Sequence, residues 1–251
     1  GSMFLSKDKP GVDHLALAAQ NIDEMASLFI DDPKHSSGIN GLEQVQIPEE
    51  LTRGVFMRFT SIANLRGSRT KFVERMDHIG IASSSNILAE SIFVEKLGLP
   101  LESRQTDVEV KVAMESFTSD KYGVIYKTRP PETMGGLRVS FITIGDTELE
   151  FLENFNNQHS AEIAHGTPGN TKQDQGAITK YVNKYGPGLH HLAFKTPDIN
   201  QTLMHLKKHN FKLIDSVGRE GSRRSLIGFI HPSSTGGVLI HFVEREEVTN
   251  A

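Results

Sequence analysis

Apolar and polar residues alternate along three separate stretches of the chain, and each stretch has a histidine near its start. The stretches cover residues 12–18, 76–82 and 188–196, with histidines His14, His78 and His191. Alternation with a period of two is typical of a half-buried β-strand. The residue two places after each histidine, on the same face, is Ala or Gly. The pattern therefore predicts three strands, each with an open space beside its histidine.

A helical pattern follows each of these strands. Each pattern begins at Asn or Asp, which favour helix N-termini, and continues with apolar residues at helical spacing. Helices are predicted over residues 21–30, 86–97 and 198–210. Further alternating stretches predict strands at 42–47, 54–62 and 70–74, then at 101–117, 123–128, 138–144 and 147–152, then at 212–217, 225–231 and 237–244.

The order strand, helix and three strands thus occurs three times, which indicates an internal repeat. The last strands also resemble one another, at residues 71–75, 150–154 and 241–245. One such unit leaves a face of its sheet unburied, so it needs a partner. We predict an α+β protein of tandem βαβββ modules, two of which pair into a half-open barrel around a metal site, with a degenerate N-terminal module.

We predict four segments along the chain. Residues 1–75 form the degenerate N-terminal βαβββ-like module, and residues 76–155 form the first metal-binding βαβββ module. An insertion within 105–136 enlarges this second module, where Gly135 and Gly136 are predicted to interrupt the extended chain. Residues 156–187 form a polar linker with a short helix at 177–185, and residues 188–251 form the second metal-binding module. In an alternative arrangement the first module pairs with the second, and the third stands alone or pairs across a homodimer.

Composition restricts the chemistry that these modules can carry. The chain has 251 residues and no cysteine, so thiolate metal sites, disulfides and cysteine nucleophiles are excluded. A formal net charge of −4 gives no reason to expect nucleic acid or an anionic membrane as partner. Neither a membrane-spanning run nor a signal peptide is visible, so we expect a cytoplasmic location.

Four residues are candidate metal ligands because they occupy matching places in the second and third modules. His78 and His191 open the two modules, and Glu150 and His241 lie in the apolar closing strands. A polar group inside an apolar strand needs a partner. Three imidazoles and one carboxylate suit a divalent metal, namely Co, Zn, Ni, Mn or Fe(II). For any one histidine alone, a hydrogen-bonded packing role is the better interpretation.

Two further histidines are interpreted as structural. His190 follows Leu189 and, by strict alternation, lies on the face opposite His191, where we expect a packing role. His14 is placed like a ligand, but the matching residue of its module's predicted last strand is Lys71. A protonated amine cannot coordinate a metal, so we predict that the first module binds none.

These motifs resemble the vicinal oxygen chelate superfamily, which includes glyoxalases and extradiol dioxygenases, and within it they most resemble methylmalonyl-CoA epimerases. The resemblance covers residues 76–246 and is carried by the sequences at 77–82, 145–152, 188–193 and 229–240. It implies that His78, Glu150, His191 and the position of His241 bind a divalent metal. It also implies chemistry through a metal-stabilised enolate of a small oxygen-chelating substrate, for which an acyl-CoA such as methylmalonyl-CoA is a candidate.

The chain differs from the epimerase pattern at two places. The family's last ligand is a glutamate where this chain has His241, and an acid or base glutamate of some epimerases falls near Val139. From the cluster and the resemblance together we predict a metal-dependent epimerase, isomerase or lyase, with Glu150 and His241 as catalytic residues.

Two alternatives remain open. Residues 178–188 resemble the approach to the second histidine of 4-hydroxyphenylpyruvate dioxygenases, which implies an Fe(II) dioxygenase. The altered fourth ligand and the degenerate first module favour instead a non-catalytic protein that binds a small molecule, as resistance-type members of the superfamily do.

Overall fold

The described residues form an α+β fold with two large sheets and a separate two-stranded hairpin. A computed structural model describes residues 11–63, 70–154 and 171–246. An eight-stranded sheet curls into a half-barrel, and a four-stranded sheet belongs to the N-terminal module. This confirms the predicted fold class, including the pairing of two modules into one half-open barrel.

The N-terminal module has the predicted order of one strand, one helix and three strands. Its elements are β1 (Leu15–Ala18), α1 (Ile22–Ser27), β2 (His35–Ser37), β3 (Glu43–Ile47) and β4 (Met57–Thr60). The Asn21 side chain accepts a hydrogen bond from the backbone N–H of Glu24 and so caps α1. The sheet order is β1-β4-β3-β2, so the closing strand β4 pairs in parallel with β1.

The prediction that residues 70–74 form the closing strand was wrong, because β4 is the strand that pairs in parallel with β1. In the register of β1 with β4, Ala16 lies opposite Arg58. The same relation holds in the other modules, where the residue two after the histidine faces Glu150 or His241. Arg58, not Lys71, therefore occupies the ligand position of the first module. A guanidinium stays protonated and cannot coordinate a metal either.

The second module contributes the largest set of strands. Its elements are β5 (Arg75–Ser83), α2 (Asn86–Glu90) with a π-helical continuation (Ser91–Lys96), β6 (Leu101–Lys111), β7 (Met114–Ser119), β8 (Gly123–Thr128), β9 (Glu132–Ile144) and β10 (Thr147–Asn154). β7 and β8 form a separate hairpin at the predicted insertion. Gly135 and Gly136 do not interrupt the chain as predicted, because β9 runs through them and pairs there with β6.

The third module completes the half-barrel. Its elements are α3 (Thr171–Tyr185), β11 (Gly188–Lys195), α4 (Ile199–Lys208), β12 (Arg219–Glu220), β13 (Leu226–Ile230) and β14 (Leu239–Glu244). The predicted strand at 212–217 was wrong, since that segment forms one bridge, from Leu213 to Ile230. The predicted linker, residues 156–187, lies partly outside the described residues, and its described part consists mainly of α3, which begins before the helix predicted at 177–185.

The strand order β12-β13-β14-β11-β5-β10-β9-β6 places the opening strands of the two modules side by side. β5 and β11 run antiparallel, and each pairs in parallel with its own closing strand, β10 or β14. Four adjacent strands in the middle of the sheet therefore carry the four predicted ligands. The division into segments 1–75, 76–155, 156–187 and 188–251 stays a prediction.

Apolar side chains cover both faces of the middle strands. Ile79, Ile81, Leu149 and Phe151 alternate with the candidate ligands, and this outer face packs against the N-terminal module in one core cluster. On the inner face, Ile178 of α3 packs with a set of buried residues from β5, β9 and β10: Ala82, Leu137, Val139, Phe141 and Leu152. Helix α3 thus closes part of the half-barrel. None of the described helices is both long and apolar enough to span a bilayer.

Candidate metal centre

Four side chains from four adjacent strands meet inside the half-barrel. His78 Nε2 lies 3.3 Å from His191 Nε2 and 3.1 Å from His241 Nε2. Glu150 Oε2 lies 3.2 Å from His78 Nε2 and 3.3 Å from His191 Nε2. Each of the four residues is 4% exposed. The four side chains that the sequence singled out as candidate ligands thus lie together.

The geometry of the imidazoles fits a single divalent cation. The ligand atoms of the three histidines lie within 4.8 Å of one another. A metal bound at about 2.0–2.1 Å from each nitrogen requires its ligands to lie roughly 3.0–3.4 Å apart. The measured separations of 3.1 and 3.3 Å from His78 Nε2 match that requirement. The donor set therefore fits the metals that imidazole and carboxylate prefer.

Asp77 orients His78. A bulge in the pairing of β5 with β11 skips Asp77, so its side chain lies beside His78 instead of on the opposite face. Asp77 Oδ2 is 2.9 Å from His78 Nδ1, and Asp77 Oδ1 accepts from Arg245 Nη2 at 3.1 Å. An ionised carboxylate can only accept, so His78 carries its proton on Nδ1 and its Nε2 faces the cluster.

A second bulge gives His191 a corresponding neighbour. The pairing of β11 with β5 skips His190, and His190 Nδ1 lies 3.0 Å from His191 Nδ1. The strict alternation that we predicted for these two residues was therefore wrong. With His191 Nδ1 as the donor of that contact, its Nε2 lone pair is left for the cluster.

Gly80 makes room for the His191 ring. A Cβ added at Gly80 would overlap three atoms of that ring. The small residue two places after His78 is therefore the contact surface of the imidazole from the neighbouring module. The open space that the sequence predicted beside His78 is therefore filled by protein, namely by the His191 ring.

Burial and charge set the protonation of the cluster. Burial opposes charging of His78, but Glu150 and Asp77 raise its pKa to about 9. Burial lowers the pKa of His191, and burial with the neighbouring histidines lowers the pKa of His241 well below its usual value. Burial raises the pKa of Glu150, but contact with His78 and His191 outweighs burial and lowers this pKa well below its usual value. At neutral pH the metal-free cluster thus holds one extra proton, on His78.

His241 is the fourth member and keeps one ring nitrogen unused. Its Nδ1 is buried and has no hydrogen-bond partner among the described residues. Its ring lies 4.4 Å from that of Phe229 and 4.8 Å from that of His191, measured between centroids. A neutral imidazole at this place can offer its Nε2 lone pair toward the cluster centre.

Sequence reasoning missed the residues that surround the cluster. The pair Asp77-His78 repeats as Asp13-His14 in the first module, and this repeat was the available signal for a carboxylate beside the strand histidine. In the first module Asp13 likewise contacts His14, with 2.8 Å between Oδ2 and Nδ1. Arg219 and Arg223 also approach the cluster, although their basic segment is typical of a solvated loop.

A family model supplies the decisive comparison. Residues 77–229 match the model described as the glyoxalase/bleomycin resistance protein/dioxygenase superfamily. The chain belongs to this superfamily. The matched range spans both modules of the half-barrel and contains His78, Glu150 and His191, while His241 lies just beyond it.

Two curated relatives differ in how much of each protein is matched. The chain is 28% identical over 172 residues to YqjC of Bacillus subtilis, an uncharacterized protein, with 68% of this chain and 93% of YqjC covered. It is 29% identical over 105 residues to mitochondrial methylmalonyl-CoA epimerase of Bos taurus, with 42% of this chain covered. The match spans about half of that epimerase, 51% of its length.

Among solved structures, methylmalonyl-CoA epimerase of Mycobacterium tuberculosis aligns with a TM-score of 0.49 and 22% identity. The alignment covers 72% of this chain and 95% of that one.

Proposed function

We propose that this member of the superfamily is a metal-dependent epimerase, isomerase or lyase that acts on a small substrate with two chelating oxygen atoms. The observation that carries the proposal is the cluster of His78, His191 and His241, whose nitrogens lie at distances that fit one divalent cation, with Glu150 Oε2 3.2 Å from His78 Nε2 and 3.3 Å from His191 Nε2. Superfamily membership and the relation to a curated epimerase support it.

The four residues would hold the metal, and Asp77 would orient His78 through its Nδ1–H. When bound, the metal supplies Lewis-acid stabilisation of negative charge on substrate oxygens. With three neutral imidazoles and one carboxylate, the ligands carry one negative charge. A glutamate in place of His241 would make this two, so this chain leaves more positive charge at the centre.

Glu150 and His241 are the proposed catalytic residues. A carboxylate has two oxygens, so Glu150 could bind the metal through Oε2, which lies within 3.3 Å of two imidazole nitrogens, and accept a substrate proton at its other oxygen. His241 stays neutral because burial lowers its pKa, so its Nε2 could bind the metal while its Nδ1–H, which has no partner among the described residues, could donate to a substrate oxygen.

The position near Val139 supplies no acid or base. Val139 is 1% exposed and packs in the apolar cluster that α3 closes. Proton transfer at the metal therefore falls to the residues of the cluster itself, and Glu150 is the carboxylate in contact with two of its members.

Solvent deuterium exchange tests the proposal. Protein loaded separately with Co, Zn, Ni, Mn or Fe(II) is incubated with methylmalonyl-CoA in D₂O, and deuterium at the acidic carbon is followed by mass spectrometry. Methylmalonyl-CoA is the first substrate to try because the curated relative is named for it. Metal-dependent exchange, lost in Glu150→Gln, supports an epimerase. Oxygen consumption with a keto acid would instead favour the Fe(II) dioxygenase.

Metal binding should release about one proton per metal at pH 7. His78 has a pKa of about 9 in the metal-free cluster, so its Nε2 must lose a proton before it can ligate. The apparent affinity should therefore rise about tenfold per pH unit from pH 7 and level off near pH 9. Calorimetry in buffers of different ionisation enthalpy measures the proton count. A pH-independent affinity over this range would contradict the assignment of the proton to His78.

A further inference from the structure

Two arginines of one short segment flank the candidate metal centre. The segment runs from Arg219 to Arg224 and comprises β12 and the short 3-10 turn that precedes β13. Arg219 and Arg223 are mostly buried, with side chains 15% and 19% exposed, whereas their neighbour Arg224 is exposed. Neither arginine is one of the four proposed metal ligands, and neither orients a ligand as Asp77 does.

Arg219 lies on the His241 side of the centre. Its guanidinium carbon is 5.3 Å from the centroid of the Phe229 ring, and that ring lies 4.4 Å from the His241 ring. Asp215 holds Arg219 Nε at 3.1 Å and also accepts from the backbone N–H of Phe229 at 2.9 Å. Arg219 Nη1 is buried and has no partner among the described residues.

Arg223 lies on the Glu150 side. Its guanidinium carbon is 3.7 Å from the centroid of the Phe141 ring, and Phe141 is paired directly opposite Glu150 in the sheet. Arg223 binds Glu148 through both terminal nitrogens, at 3.1 and 2.5 Å. Glu148 is two residues before Glu150 and so shares its face. Arg223 Nε is buried without a partner among the described residues.

The backbone that presents Arg223 is in an unusual conformation. Arg223 and Arg224 have φ of 54° and 56°, in the left-handed region that non-glycine residues rarely adopt. Such strain persists where the surrounding contacts impose it, and it is concentrated at ligand-binding sites. Here the contacts reach the other module, because the Arg223 N–H donates to Gln105 at 3.2 Å and Nη1 to Glu102 at 3.0 Å.

We propose that Arg219 and Arg223 bind an anionic group of the substrate, so that the centre takes a small carboxylate whose second oxygen-bearing group also reaches the metal. The inference rests on the proposed function. A guanidinium matches a carboxylate in shape and donors, and each of the two arginines keeps one buried N–H for a ligand oxygen. An anionic oxygen accepts from a charged donor more strongly than a neutral oxygen does, so the two remaining N–H groups and the residual charge of the metal centre favour a carboxylate over a neutral substrate.

A purely structural role would make Arg223 a tie between the modules through Glu148 and Glu102. That role accounts for the terminal nitrogens of Arg223, but it leaves Arg223 Nε and Arg219 Nη1 unsatisfied. A buried donor without a partner destabilises the fold, which an anionic ligand would reverse. The structural role predicts that loss of Arg223 changes stability and leaves ligand selectivity unchanged.

Oxalate and its neutral diamide, oxamide, test the inference. Both are small and present two vicinal oxygens, and they differ in charge. Binding to the Co²⁺-loaded chain is followed by calorimetry and by the Co²⁺ absorption spectrum. Arg219→Met and Arg223→Met should each weaken oxalate about tenfold or more, because a charge-assisted hydrogen bond is lost. Oxamide binding should not change.

Arg224→Met is the matched control, since it removes a positive charge from the same segment at an exposed place, and it should leave oxalate binding unchanged. Should Arg223→Met not fold, Arg223→Lys keeps the charge but loses the Nε donor, and oxalate should still weaken. Equal oxalate affinity in wild type and both arginine variants, with Co²⁺ retained, overturns this inference alone. A wild-type chain that takes up no Co²⁺ or other divalent metal overturns the proposed function, and the inference with it.

Discussion

Replacing His191 with alanine should lower the affinity for Co²⁺ or Zn²⁺ by more than about 100-fold, because loss of a ligand costs more than the 10- to 100-fold typical of losing its outer partner. His191 Nε2 lies within 3.3 Å of both His78 Nε2 and Glu150 Oε2, so its removal opens the centre on the side of the third module. Competition with a chromophoric chelator measures the affinity. The metal content of the purified protein, by elemental analysis, provides a second readout.

A graded series makes this prediction sharper. Asp77→Asn keeps all four candidate ligands but weakens the partner of His78 Nδ1, so its effect should lie within the range of about 10- to 100-fold. His209→Ala removes an exposed imidazole at the end of α4 and should leave the affinity unchanged. Equal metal affinity in wild type and His191→Ala would contradict the four-residue centre.

The strand histidines could be predicted from the sequence because alternation is a local property. The small residues beside them could also be recognised, since Gly80 and Ala193 follow at the spacing that places them on the same face, although the His191 ring fills the space at Gly80. That two modules pair follows from the argument that one module leaves a sheet face unburied, but this argument left open which two modules pair. These features follow from residues that are near one another in the chain or in matching repeats.

The features that failed depend on departures from regular spacing. Strict alternation placed His190 opposite His191, but a bulge in β11 brings the two rings together. A bulge inserts one residue and leaves no clear mark in the apolar pattern. Lys71 was chosen because residues 71–75 resemble the closing strands, while the pairing partner of β1 is β4. Similarity of sequence did not fix which strand closes the sheet.

The residues around the centre could not be predicted because long-range contacts bring them there. Arg223 meets Glu148 across 75 positions of the sequence, and Arg245 meets Asp77 across 168. The segment from Arg219 to Arg224 has the composition of an exposed loop. Of its three arginines, however, only Arg224 is exposed. The surroundings of a site assembled from two modules are decided by how the modules pair.

Replacing Gly80 with alanine should disrupt the centre without removing a donor atom. Gly80 lies on β5, two residues after His78, and the added Cβ would overlap the His191 ring. The ring has to move, and a metal site tolerates only about 0.2 Å of change in ligand distance, so the loss of metal affinity should approach that of His191→Ala. Overpacking should also lower the free energy of unfolding by about 1–3 kcal/mol.

Gly228→Ala is the matched control for Gly80→Ala, because it makes the same change in the same sheet. Its Cβ would lie 2.7 Å from Leu203 Cδ1, a methyl group at the end of a flexible side chain on α4. We expect a loss of stability of up to about 1–3 kcal/mol with unchanged metal affinity. Chelator competition and urea denaturation on both variants separate the two effects. Full metal affinity in Gly80→Ala would show that the His191 ring is not held against β5 when the metal is bound.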